Sequence, residues 1–211
     1  MVRSTTKYER AHQRFRPAHR ELASAIVSQM GLPSVRFNNA MVERYHCHYR
    51  KMGAHSDQAL DLADDSYICL YSCYNMTVAP PDLRQLVVTC KLTGDTRAFL
   101  LEPDTAVLFS VADNVRFMHK IVPVEPGKPT NASVWLGVTF RCSKRAVTFA
   151  ADGAALLETG EALTLLTTRA SSSQFYKERS AENASSVPYR YSAAAARCKV
   201  SPSDVLPPLD D

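Results

Sequence analysis

From Phe37 to Arg141 the chain is a succession of short β-branched and aromatic runs separated by turn residues, and that spacing admits few folds. The runs are Phe37 to Tyr49, Ser66 to Tyr74, Leu83 to Leu92, Thr96 to Leu101, Ala106 to Val111, Val115 to Val124 and Ser133 to Arg141. Each has the length of a strand and the residue types that fit a pleated surface. Thr93-Gly94-Asp95 joins the third and fourth runs as a hairpin, whereas Pro80-Pro81 and the Pro/Gly-rich loop Glu125 to Asn131 break the pattern. The Ser66 run is apolar on both faces, as an internal strand is. Seven or eight such strands argue for a double-sheet jelly roll or sandwich.

The flanks read differently. Ala18 to Met30 carries Leu22, Ala25, Ile26 and Met30 on one helical face, and Gly31 and Pro33 end that helix. The expected division is therefore a basic arm and helix over residues 1–33, a β core over 34–145 and a C-terminal extension over 146–211. Within the extension, Ala154 to Thr168 has helical apolar spacing, and residues 170–211, rich in Ser, Ala and Pro, read as a mobile or surface-wrapped tail. At 211 residues the chain buries a core without metal or disulfide staples.

Arg3, Lys7, Arg10, Arg14, Arg16 and Arg20 face a single acid, Glu9, in the first twenty residues. Such an arm meets a phosphate backbone of DNA or RNA, or else is a solvated helix face. Cys47, Cys69, Cys73, Cys90, Cys142 and Cys198 form no Cys-x-x-Cys pair. With no apolar signal segment after Met1, they predict reduced thiols and an intracellular, cytoplasmic or nuclear setting. No apolar run is long enough to span a membrane.

Chemistry concentrates at Gly53-Ala54-His55-Ser56-Asp57. On an extended segment His55 and Asp57 point to one face, and His119, inside the Val115 run, is a third candidate ligand. Two imidazoles and one carboxylate leave metal positions open, which is the ligand set of non-haem Fe(II) oxygenases. Other readings exist for each residue. His119 in an apolar strand also suits a hydrogen-bonded core histidine, Tyr45 a packed core phenol, and Arg141 a surface ion pair. Trp135 suits a core position or a pocket wall. His46-x-His48 lacks a third ligand nearby.

With Arg44-Tyr45 and Gly53 ahead of His55, His119 downstream and Val138-Thr139-Phe140-Arg141 on the last core run, residues 36–144 resemble the AlkB family of Fe(II)/2-oxoglutarate dioxygenases. The resemblance implies a mostly β (α+β) chain with a double-stranded β-helix, or jelly-roll, core, an N-terminal helix and a C-terminal helical extension. It implies His55, Asp57 and His119 as iron ligands, Tyr45, Thr139 and Arg141 as 2-oxoglutarate contacts, and O₂ as second cosubstrate. It further implies hydroxylation or demethylation, with an alkylated nucleic-acid base as one substrate class. A hydroxylase of a protein side chain or small molecule, and a non-catalytic jelly-roll binding module, are the alternatives. The chain departs from the family pattern at three points. Trp135 stands where the family has an Arg for the far carboxylate of 2-oxoglutarate, Glu43 where it tends to have Asn, and Gly137 where it has a polar amide. Arg141, Arg44, Lys120 and Arg116 are the cations that sequence offers in compensation. Gln58-Ala59 also replaces the acid that nucleic-acid demethylases of the family carry after the His-x-Asp.

Overall fold

A computed structural model describes residues 2, 6–8, 11–75, 82–125 and 133–209. Arg3, Glu9, Arg10, Pro80, Pro81 and most of the loop 125–131 lie outside these residues.

The predicted strands form close to where their patterns lie: β1 (Asn39–His46), β2 (Tyr67–Tyr74), β3 (Arg84–Cys90), β4 (Thr96–Leu101), β5 (Thr105–Ser110), β6 (Phe117–Pro123) and β7 (Val134–Arg141). They make two antiparallel sheets, ordered β1-β7-β2-β5 and β4-β3-β6. An isolated antiparallel bridge between His55 and His119 adds a short fourth member beside β6. Following the chain, β1 lies in the first sheet, His55 in the second, β2 in the first, β3 and β4 in the second, β5 in the first, β6 in the second and β7 in the first. That alternation is a double-stranded β-helix.

Period-two alternation sorts each strand's side chains. On β7, Trp135, Gly137, Thr139 and Arg141 face the interior, opposite Tyr74, Ser72, Leu70 and Ile68 of β2 and Tyr45, Glu43, Met41 and Asn39 of β1. Between the sheets, Tyr45, Leu70, Leu86, Leu101, Ile121 and Trp135 pack as one buried cluster. The other face of β7 presents Val138 and Phe140, which with Cys69 of β2 bury Ala23 and Ile26 of helix α1 (Pro17–Gln29). Pro17 at the first helical position starts that helix and Gly31, at φ 70°, follows its end.

Helix α2 (Val111–Arg116) interrupts the run between β5 and β6. Ser110 accepts a hydrogen bond from the Asp113 N–H at 3.0 Å while Asp113 accepts one from the Ser110 N–H, a reciprocal cap that nucleates this short turn. The segment 154–168, expected to be helical, is extended: β8 (Val147–Phe149) pairs with β9 (Ala155–Leu157), and β10 (Thr164–Leu165) follows. Gly153 at φ 86° and Gly160 at φ 80° turn the chain there, a conformation no helix accommodates. The helix forms instead in the part expected to be a loose tail, as α3 (Arg169–Ala184), capped by Thr168, which accepts from the Ser171 N–H. Helix α4 (Ala193–Arg197) and β11 (Cys198–Lys199), which pairs with β10, complete the extension.

The extension has its own apolar cluster, Leu166, Phe175, Ala195 and Val200. A buried ionic cluster ties it to the barrel. Lys199, 0 % exposed, reaches Asp61 at 3.8 Å, and Arg145 reaches the other Asp61 oxygen at 3.4 Å. The two chain ends also meet, with Ser203 N–H donating to the Tyr8 carbonyl and Leu209 N–H to that of His12. Among the described residues all six cysteines are free, and no helix is long and apolar enough to cross a membrane.

Candidate metal centre

The His55–His119 bridge is a reciprocal pair of backbone hydrogen bonds, 3.0 Å from His55 N–H to the His119 carbonyl and 2.7 Å in return. It sets the two imidazoles on one side of the sheet, ring centroids 4.7 Å apart. Asp57, two residues on, points the same way. One donor atom each from His55, Asp57 and His119 lies within 4.8 Å of the others, so the three residues singled out in the sequence are brought together. His46 and His48 are exposed and join no such group.

Each ligand candidate is oriented by a second contact. His55 Nδ1 lies 2.9 Å from the Gly53 carbonyl, so it carries the proton and leaves Nε2 free as a donor to a metal. The Asp57 backbone is clamped by buried Asn114 of α2, which accepts from the Asp57 N–H and donates to the Asp57 carbonyl, both at 2.8 Å. Ser56, between the two ligands, is held by α3: its N–H donates to Asn183 Oδ1 at 2.7 Å, and Arg179 donates to its carbonyl. Glu182 extends the same grip by accepting from the Ala59 N–H at 2.9 Å.

Arg141 lines the cavity that opens onto the three residues and is paired with one of them. Its Nε and Nη2 both meet Asp57 Oδ2 at 2.7 Å. Oδ1 is left facing His119 Nε2 at 3.7 Å. Burial opposes ionisation of Asp57, yet the Arg141 charge, with His119 and His55, pulls its carboxyl down to about 2. Burial pushes the His119 imidazole down to about 4 against the pull of Asp57. At neutral pH the group therefore offers the neutral His119 imidazole, the outward Nε2 of His55 and one carboxylate oxygen that no arginine engages. Two imidazole nitrogens and a carboxylate oxygen are a donor set that fits a divalent ion.

The lowered His119 value carries a stability consequence for the metal-free protein. Its folded value lies below 6.5, so the unfolded chain takes up the proton first on acidification. The contribution is fully present above pH 6.5 and is lost as pH falls toward 4. A pH series of thermal melts should show Tm falling through that window, with a flatter profile in His119→Gln. Asp57 acts lower, its share being lost below 3.8 as pH falls through about 2.

A cavity of about 1030 Å³ opens onto the three residues. Tyr45, Thr139 and Arg141, the three residues named from sequence for a cosubstrate, all line it, and the Tyr45 phenol donates to Glu43 at 2.7 Å. Burial and the Glu43 charge push that phenol far above its ordinary value, so it stays a donor. Of the compensating cations named from sequence, Arg141 lines the cavity, whereas Arg44 and Lys120 alternate to the outer faces of β1 and β6, Arg116 lies against Phe117, and these three do not line it. Sequence reasoning missed Asn114, Arg179, Glu182 and Asn183, which bind the ligand segment from distant elements. It also missed Arg84, which is 4 % exposed, although an arginine opening the apolar run Leu83 to Val88 was a visible signal.

No protein-family model matches the chain, and no curated protein matches it. Among solved structures it is similar to one described as "Crystal structure and expression patterns of prolyl 4-hydroxylases from Phytophthora capsici", at 15 % identity and a TM-score of 0.40. The match covers 79 % of this chain and 50 % of that one, so the chain spans half the length of the structure it matches.

Proposed function

We propose that this protein is a non-haem Fe(II)- and 2-oxo acid-dependent oxygenase of the AlkB-like type. The observation that carries the reading is the convergence of His55, Asp57 and His119 at the mouth of a double-stranded β-helix, beside a cavity that admits a second ligand. Iron(II) held by these residues would supply O₂ activation, one oxygen atom passing to the 2-oxo acid as it loses CO₂ and the other into a substrate C–H bond.

The chain's own residues do the rest. Asn114 and the α3 side chains hold the ligand segment, and the Gly53 carbonyl fixes the His55 tautomer. Arg141 keeps Asp57 ionised and turned so that only Oδ1 faces the imidazoles. Leu70, Leu86 and Ile121 give the cavity an apolar inner lining.

Toward the outside, His12, Arg14, His19, Lys51 and Arg179 line the cavity together with Asp204. With Lys7, Arg16 and Arg20 nearby in sequence, this basic character supports an anionic polymer as substrate, an alkylated base of single-stranded DNA or RNA. A hydroxylated N-methyl group would leave as formaldehyde, and a base in a duplex would first have to leave the stack.

Anaerobic protein given Fe(II) and a 2-oxo acid should develop a weak visible charge-transfer band that His55→Ala lacks. No band with either 2-oxoglutarate or an apolar 2-oxo acid sinks the oxygenase reading. Binding to a methylated single-stranded oligonucleotide should weaken steeply with salt. Absence of such binding moves the substrate to a protein side chain or a small molecule.

A further inference from the structure

Arg84 opens β3 on the strand face that also carries Leu86 and Val88, and it is 4 % exposed. One of its terminal nitrogens is fully used: Nη2 donates to the carbonyls of His46 and Tyr49, each at 2.9 Å. The other, Nη1, is buried with no hydrogen-bond partner. Among the described residues Arg84 makes no ion pair. Its neighbours are rings, the guanidinium carbon lying 5.1 Å from the centroid of Tyr45 and 6.0 Å from that of Tyr49. The Tyr45 hydroxyl is turned away to Glu43. A guanidinium held out of water with neither a counter-charge nor an acceptor for one nitrogen is costly to keep.

This cation stands at the inner end of the barrel. On β3 and β6 the successive inward pairs are Val88 with His119, Leu86 with Ile121 and Arg84 with Pro123. Arg84 is therefore ~13 Å along the strand from the level of the ligand histidine. Its backbone is fixed there by the Tyr74 hydroxyl, which accepts from the Arg84 N–H at 2.9 Å and donates to the Leu101 carbonyl at 2.8 Å. Tyr45, Tyr49, Leu86 and Ile121 line the cavity, and Arg84 lies one side chain behind them. From the opposite sheet Trp135 reaches the same depth, its ring 5.0 Å from that of Tyr45. The end of the site thus has an apolar lining with one unpaired, permanently charged donor behind it.

We infer that Arg84 is the seat of the second carboxylate of a dicarboxylic 2-oxo acid, and that it makes the site select 2-oxoglutarate over a 2-oxo acid of equal length with an uncharged end. A carboxylate supplies both things Arg84 lacks, a negative charge and an acceptor for Nη1. An extended arginine side chain and a diacid of that length together span the distance from the ligand level. The Tyr49 ring must shift for the two to meet; it is exposed and lies beyond the end of β1, so no sheet holds it. The inference rests on the oxygenase reading above and names the residue that selects its cosubstrate.

The test is an anaerobic titration of the Fe(II)-loaded protein with 2-oxoglutarate and with 2-oxopentanoate, which has the same carbon chain without the second carboxylate. The charge-transfer band gives the binding isotherm. The unaltered protein should bind 2-oxoglutarate at least tenfold more tightly. Arg84→Met should erase that ratio by weakening 2-oxoglutarate alone, and Arg84→Lys, which keeps the charge without the planar fork, should leave it between the two. A Co(II) titration of each variant shows that the metal site is intact. Comparable binding of the two acids by the unaltered protein overturns the inference. So does a ratio that persists in Arg84→Met, which places the carboxylate on another cation such as Lys51. Where Arg84→Met does not fold, a ratio unchanged in Arg84→Lys overturns it in the same way. A protein that binds Fe(II) but shows no band with either acid fails at the oxygenase reading, and the role of Arg84 falls with it.

Discussion

Asp57→Ala is expected to abolish divalent-metal binding and to destabilise the metal-free protein by about 3–5 kcal/mol, the usual cost of orphaning a buried charge. The variant removes the only carboxylate of the ligand group and leaves Arg141, whose side chain is 6 % exposed, without its acid. Arg141 Nη1 has a weak 3.5 Å contact to the Thr139 carbonyl, too long to compensate. Asp57→Asn separates the two effects. It keeps an acceptor for the Arg141 fork and so loses less stability, yet it lacks the charge that a hard cation needs. Urea denaturation gives the first quantity and a metal titration the second. Unchanged stability in Asp57→Ala would mean that Arg141 is solvated and that the ion pair does not organise the site.

The second large effect is expected far from the cavity. Asp61→Ala leaves Lys199, which is 0 % exposed, and Arg145 without the carboxylate between them, and should cost about 3–5 kcal/mol. Because Lys199 belongs to β11, the loss should first appear as loosening of the C-terminal extension, read as faster amide exchange in α3 and β11 than in β2 or β7. Asp61→Leu combined with Lys199→Met should recover much of the loss, since apolar residues of similar volume replace buried ion pairs at little cost. Loosening also reaches the metal ligands, because α3 holds Ser56 through Asn183 and Arg179. Uniform exchange across both parts after Asp61→Ala would show that the extension is not a separable layer.

What could be read from sequence depended on the range of the interaction. The strands were legible because alternation and turn residues act locally, and all seven lie within a few residues of their patterns. His55, Asp57 and His119 were legible because strand pairing converts a period-two motif and one distant histidine into neighbours. The extension was misread because apolar spacing over 154–168 looks helical, while the turns at Gly153 and Gly160 depend on positive φ. Helix α3 was hidden by its serines, which are poor helix formers, and is secured by the Thr168 cap and by Phe175 in a cluster with Leu166 and Val200. Arg141 was recognised as a carboxylate-binding arginine, and the carboxylate it holds in the fold is Asp57. Only the register of β7 against the His-x-Asp segment decides that choice, and no single-strand pattern contains it.

Titration of the metal-free protein with Co(II), followed by its visible d–d absorption, reads directly whether His55, Asp57 and His119 form a metal site. One site per chain is expected, with absorption typical of a nitrogen- and oxygen-ligated ion, and no saturable site in His55→Ala or His119→Ala. Absence of a stoichiometric site in the unaltered protein, or a site that survives both histidine replacements, would contradict it.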